Sequence, residues 1–218
     1  MPRMIVPHPS YPNLRIFEHP LIHHKLTRAR DRATGSRDFR RLINEIAGLM
    51  CFGISGDVPT EEITVESPLE PARGVRISQP ITLVPILRAG IGMTDGILAI
   101  FTEARVGHIG LYRDEARLEP VEYYMKLPPD VAEGPVLLVD PMLATGGSAV
   151  HATTKIKERG CRNVRLVCLV AAPPGVERML EHHADVPVYT AALDRELDEH
   201  GYIRPGLGDA GDRIFGTS

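Results

Sequence analysis

The chain has 218 residues, 43% of them hydrophobic and 24% charged, with a formal net charge of −3. That length suits one large α/β domain with its own core. So slight an acidity excludes a general pull toward nucleic acid or an anionic membrane, and any anion site has to be local. Three cysteines, Cys51, Cys161 and Cys168, form no CxxC pair. With no leader-like segment and no apolar run of spanning length, they point to a reducing cytoplasm. The nine histidines include the adjacent pairs His23-His24 and His182-His183, whose side chains diverge around a helix, and no metal-ligand spacing appears.

Residues 1–15 are Pro-rich and aperiodic and read as a loose tail, leaving 16–218 as a single domain. Leu21, Ile22 and Leu26 put one apolar side on a helix over 19–31. Ser36 is expected to cap a second helix, whose Phe39, Leu42, Ile43, Ile46, Leu49 and Met50 follow the helical period. The segment 60–80 mixes short extended pieces. Strands and helices then alternate: strand 81–86, helix 90–104, strand 106–112, an arm or hairpin over 121–127, and strand 136–140. Helix 148–159, strand 164–171, helix 175–183 and strand 186–191 follow. Continuous apolar strands alternating with helices predict an open, mainly parallel sheet with helices on both faces and right-handed crossovers. Helices precede this sheet, and a Gly-rich loop region follows it.

The richest stretch is 136–148. Val136-Leu137-Leu138-Val139 form a buried strand that ends in Asp140; Pro141, Met142, Leu143, Ala144, Thr145, Gly146 and Gly147 turn the chain; Ser148 opens a helix. Strand, small-residue turn and helix start together build an anion site: backbone N–H groups point inward and the helix end adds partial positive charge. Thr145 and Ser148 supply hydroxyls. A carboxylate at the strand's end suits ribose hydroxyls better than phosphate, so the site reads as phosphate plus sugar. Neither a Walker A loop nor a GxGxxG fingerprint is present, and the plain alternative is an unliganded Gly-Gly turn.

Three more segments are expected at the same edge. Arg88 follows the strand 81–86 in Arg88-Ala89-Gly90, where a guanidinium suits a diphosphate. Arg113 ends the next strand, and 114–126 has the length and charge of a lid. The run 201–212 is punctuated by Gly and Pro and is expected to stay non-helical, exposing backbone N–H and C=O groups that could read a base edge. The plain alternatives are an exposed Arg, a surface hairpin and an empty turn.

Taken together, these segments resemble the uracil phosphoribosyltransferases among the type I phosphoribosyltransferases. The resemblance runs from about residue 16 to the C-terminus. It is carried by His19-Pro20-Leu21, Val84 to Gly90, Gly110 to Arg113, Asp140 to Ser148, Val170 to Pro173 and Gly201 to Gly216. It implies contacts to phosphoribosyl diphosphate (PRPP) from Arg88, Arg113, Asp140 to Ser148 and Asp209, with Arg88, Asp140 and Asp209 in catalytic roles. It implies uracil contacts from Ile203, Gly208, Asp209 and Ala210, and UMP and diphosphate as products. Mg²⁺ should arrive bound to PRPP rather than to the protein, and a cis peptide is implied at Leu87–Arg88. The resemblance leaves open a GTP effector and the choice between dimer and tetramer. Where the family commonly carries Thr-Arg-Asp, this chain has Ser55-Gly56-Asp57. The rival reading is an RNA-binding pyrimidine regulator of the same fold, against which stand the mild acidity and the complete base loop.

Overall fold

The computed structural model describes residues 4–113 and 120–217. Strands β1 (Ile5–Pro7) and β2 (Leu14–Phe17) lead into helices α1 (Pro20–Arg30) and α2 (Ser36–Ile54). An antiparallel hairpin of β3 (Thr60–Glu66) and β4 (Pro71–Ile77) follows. Then come β5 (Thr82–Leu87), α3 (Ile91–Leu98), β6 (Arg105–Val106), β7 (His108–Arg113) and β8 (Pro120–Lys126). Next are β9 (Val136–Val139), β10 (Met142–Leu143), α4 (Gly147–Glu158), β11 (Val164–Ala171) and α5 (Pro173–His182). The chain closes with β12 (Val188–Leu193), β13 (Glu196–Leu197), β14 (Ile203–Arg204) and α6 (Ala210–Phe215).

The main sheet runs β1-β2-β12-β11-β9-β5-β7-β8, with β10 beside β11 and β6 beside β5. Its interior pairs are parallel, and only the outermost pairs, β1 with β2 and β7 with β8, are antiparallel. Two cores explain the continuous apolar strands. Leu137 and Val139 of β9, with Val167 and Leu169 of β11, face a core shared with α1, α2, α3 and α6. Leu138 of β9, with Leu166 and Cys168 of β11, faces a second core under α4 and α5. Period-two alternation thus serves two apolar faces, as a doubly covered sheet requires. Burial pushes the thiols of Cys51 and Cys168 up to about 12, so both stay protonated and inert at neutral pH. Among the described residues no helix is long and apolar enough to cross a membrane.

Several boundaries differ from expectation. Residues 1–15, read as a tail, hold β1 and the start of β2, and Leu14 is fully buried. Three- and four-residue strands are too short to show a period, and β2 is fixed by pairing with β12. Ser36 is the first helical residue and not the cap; Gly35 stands at the cap position with no side-chain bond. The helix expected to reach 104 ends at Leu98. The strand expected over 106–112 breaks into β6 and β7 at Gly107.

Helices α2 and α3 approach through small residues. A Cβ on Gly96 would collide with the Asn44 carbonyl oxygen, and one on Gly48 would sit 2.8 Å from the Gly96 carbonyl oxygen. Both obstacles are backbone and cannot swing aside. Gly96→Ala is therefore expected to destabilise by about 1–3 kcal/mol, although alanine is the better helix former. A melting temperature equal to or above that of the unaltered protein would show that these helices can part.

Candidate functional site

The parallel strands deliver their carboxyl ends to one edge. The turn after β9 starts at Asp140, whose Oδ1 accepts a hydrogen bond from the Met142 N–H at 3.3 Å. Burial pushes its carboxyl up to about 7, and that single hydrogen bond only partly offsets the desolvation. Pro141, Met142 and Leu143 are tied to the sheet. The Pro141 carbonyl accepts from the N–H groups of Leu169 and Val170, and the Leu143 carbonyl accepts from Ala172. The chain then turns through Ala144 and exposed Thr145 to Gly146, at φ +78°, which opens α4. A Cβ on Gly146 would press to 3.0 Å on the Gly175 carbonyl oxygen, and one on Gly175 to 2.5 Å on that of Ala144. Two glycines thus let α5 pack beneath the turn. The N–H groups of Thr145, Gly146, Gly147, Ser148 and Ala149 donate to no acceptor among the described residues. Five free donors at the start of a twelve-residue helix form an anion cradle.

Beside this cradle lies the turn after β5. The Leu87–Arg88 peptide is cis. Gly90 packs on the end of β9, where a Cβ would lie 2.5 Å from the Val139 carbonyl oxygen, one residue before Asp140. The Arg88 side chain is 60% exposed and reaches Asp212 Oδ1 at 3.3 Å. Arg113 ends β7; its side chain, and with it residues 114–119 of the expected lid, lies outside the described residues. The remainder of the lid is β8, an antiparallel strand on β7 whose register shifts between Gly110 and Leu111.

The third side of the site is the C-terminal loop. Ile203 is buried, Gly206 and Gly208 have φ of +62° and +72°, and the Arg204–Pro205 peptide is cis. Contrary to the expectation of no helix over 201–212, α6 begins at Ala210. Its cap is Asp209, whose Oδ1 accepts the Asp212 N–H at 2.8 Å. The N–H groups of Gly208 and Ala210 donate to no acceptor among the described residues. Contacts close the ring: Gly201 lies against Thr145, and Gly211 against Ala89. The structure therefore gathers Arg88, the 140–148 turn and the 203–210 loop at one edge. A groove of about 540 Å³ lined by Arg76, Ile81, Phe101 and Arg105 opens at the other end of β5 and takes no part.

Sequence reasoning missed the groups that hold the C-terminal loop. Arg30 of α1 makes a forked pair with Asp194, both bonds at 2.7 Å, and also donates to the Gly206 carbonyl at 2.8 Å. Arg213 donates to the carbonyls of Ala29 and Leu207, with its guanidinium 3.9 Å over the Phe39 ring. Apart from Leu207, six residues before Arg213, these partners lie more than a hundred residues apart in the chain, and no local pattern signals them.

A family model for uracil phosphoribosyltransferase matches residues 16–217. The chain belongs to the uracil phosphoribosyltransferase family. It is 58% identical over 203 residues to the uracil phosphoribosyltransferases of Halalkalibacterium halodurans and Bacillus pumilus, covering 93% of this chain and 97% of each relative. A solved protein from Aquifex aeolicus superposes with a TM-score of 0.90 at 35% identity, over 94% of this chain and 99% of that one. Adenine phosphoribosyltransferase from Leishmania donovani shares the fold at 12% identity, with a TM-score of 0.59 and 86% of each chain covered. Against this family background the departure at Ser55-Gly56-Asp57 has a structural account. Asp57 pairs with buried Arg165 at 2.6 Å. Gly56 faces open space, so a larger side chain at this position would stand on the surface, away from the segments at the sheet edge.

Proposed function

We propose that this protein transfers the phosphoribosyl group of PRPP to N1 of uracil, releasing diphosphate and forming UMP. The observation that carries the reading is the near full-length identity to named uracil phosphoribosyltransferases; the convergence of cradle, arginine turn and base loop at one sheet edge supports it.

In this reading the five free N–H groups of Thr145 to Ala149 take the 5′-phosphate, and Asp140 takes the ribose hydroxyls. Arg88 and Arg113 face the departing diphosphate, where a forked guanidinium complements the growing negative charge. Asp209 exposes one carboxylate oxygen beyond its capping bond and orients PRPP. The N–H groups of Gly208 and Ala210, with the backbone of Ile203, read uracil's acceptor–donor–acceptor edge. Uracil N1 forms the new bond to the anomeric carbon as the carbon–oxygen bond to diphosphate breaks; diphosphate leaves with its electron pair, and the N1 proton passes to that diphosphate or to water. Holding both reactants at one edge supplies the orientation that a weak nucleophile needs.

Among the described residues no group of three His, Cys, Asp or Glu side chains could hold a metal. Mg²⁺ would fit as part of Mg–PRPP, supplying neutralisation of the diphosphate charge, with Asp209 helping to position PRPP together with its metal. The assembly is a homodimer or homotetramer. Its support is the β3–β4 hairpin, whose strands are almost wholly exposed and whose Leu69 is 96% exposed. A lone two-stranded ribbon is marginal in water and calls for a partner surface.

The test is UMP formation from uracil and PRPP, with cytosine, orotate and guanine as competitors and GTP added as an activator in a parallel series. UMP from uracil alone is expected. Equal use of orotate, or no UMP at saturating Mg–PRPP, overturns the reading. Light scattering checks the assembly: a monomeric mass at assay concentration ends that part of it.

A further inference from the structure

We infer that Arg30 and Asp194 are positioning residues that set where the base lies relative to the phosphate, acting through Gly206. The inference rests on the reading of residues 203–210 as the base loop.

Asp194 is only 8% exposed and directly follows β12. Its Oδ2 accepts from the Arg30 guanidinium at 2.7 Å and from the Gly206 N–H at 2.8 Å; its Oδ1 accepts a second Arg30 bond at 2.7 Å. Arg30 donates in turn to the Gly206 carbonyl at 2.8 Å. Both backbone groups of Gly206 are thereby consumed, one by the anion and one by the cation of the same pair. Gly206 cannot turn either group toward a ligand. The free donors of the loop are displaced to Gly208 and Ala210, two and four residues on. A forked, charge-assisted pair is among the stiffest contacts that side chains make, because its geometry is fixed in plane as well as in distance.

The second half concerns what the clasp is fastened to. The Asp194 N–H donates to the Ala171 carbonyl at 2.8 Å, and the neighbouring Ala172 N–H donates to the Leu143 carbonyl at 2.9 Å. Leu143 precedes the phosphate cradle by two residues. The base loop and the cradle therefore hang from adjacent residues at the end of β11. The chain from Gly206 through Asp194, Ala171, Ala172 and Leu143 to Thr145 is a short run of backbone and one carboxylate. It fixes the distance from the base donors to the phosphate donors, and so places uracil N1 against the anomeric carbon.

Arg30→Lys keeps the charge and loses the fork; Asp194→Asn keeps the shape and loses one charge-assisted acceptor. Steady-state kinetics of both are compared with Gly208→Val, which disturbs the base loop directly. Each clasp variant is expected to lower kcat/KM for uracil by about tenfold or more, with the KM for PRPP within about twofold of the unaltered protein. Arg30→Lys should retain more activity than Arg30→Met. If Asp194→Asn does not fold, the two Arg30 variants decide alone, since that side chain reaches the surface. A KM for PRPP raised as much as that for uracil, or no loss of kcat/KM at all, while Gly208→Val still impairs uracil use, would overturn the clasp and leave the base loop standing. If Gly208→Val also leaves uracil kinetics unmoved, the base-loop reading fails and the clasp fails with it.

Discussion

Asp140→Asn is expected to lower kcat by about 10²–10³-fold, the usual loss when one preorganised electrostatic contact to a developing charge is removed. The same change should raise thermal stability above neutral pH. Burial holds the Asp140 carboxyl at about 7 in the folded free protein, against about 3.9 in an unfolded chain. Between those two values the folded state binds more protons than the unfolded one, so stability falls as pH rises through that window and levels off above it. Asparagine does not titrate and carries no such loss. Melting temperatures of the two proteins should therefore separate progressively from pH 4 to pH 7, with the variant higher at pH 8. Turnover should follow the opposite course. In the unaltered protein kcat/KM rises with pH through about 7 as the carboxylate forms, and the variant lacks that limb. If Asp140 served only to order its turn through the Met142 N–H, the variant would melt lower and turn over normally. Melting and turnover measured on one preparation across pH 5 to 8 separate the two roles.

The parts of this molecule that were legible from sequence are those dictated by near neighbours. The run Val136 to Val139 could only be a strand buried on both faces, and the Thr145-Gly146-Gly147-Ser148 turn could only precede a helix. Phe39 to Met50 announced α2 through its period. What stayed hidden depends on distant partners. β2 is a strand because β12 lies beside it. The forked pair of Arg30 with Asp194 spans 164 residues, and Arg213 reaches back 184 residues to the Ala29 carbonyl. The C-terminal loop misled for a related reason. Its glycines and proline do forbid a helix up to Gly208, but Asp209 is a good cap, and the six residues after it were free to coil.

Base choice is expected to rest on main-chain groups, and Gly208→Val should show it. Gly208 holds φ at +72°, a region closed to β-branched side chains, while the nearest atom to a built Cβ is Arg213 Cδ at 3.7 Å. There is room for the side chain and none for its backbone, so the loop has to rearrange rather than swell. The expected result is a uracil KM raised by about tenfold or more, with a smaller rise in the KM for PRPP, whose phosphate cradle is a separate element but whose Asp209 contact adjoins Gly208. Gly208→Ala should fall between. Ile203→Val, at a buried position, removes one methylene at a cost of about 0.5–1.5 kcal/mol in stability, and should leave uracil kinetics near those of the unaltered protein. Cytosine presents an amino donor where uracil presents an acceptor. Set against a loop N–H, each group is left buried and unpaired at about 1–3 kcal/mol, enough to reject it by tenfold to a hundredfold or more. Efficient turnover of cytosine, or a uracil complex held by side chains from outside 201–211, would show that the base is read elsewhere.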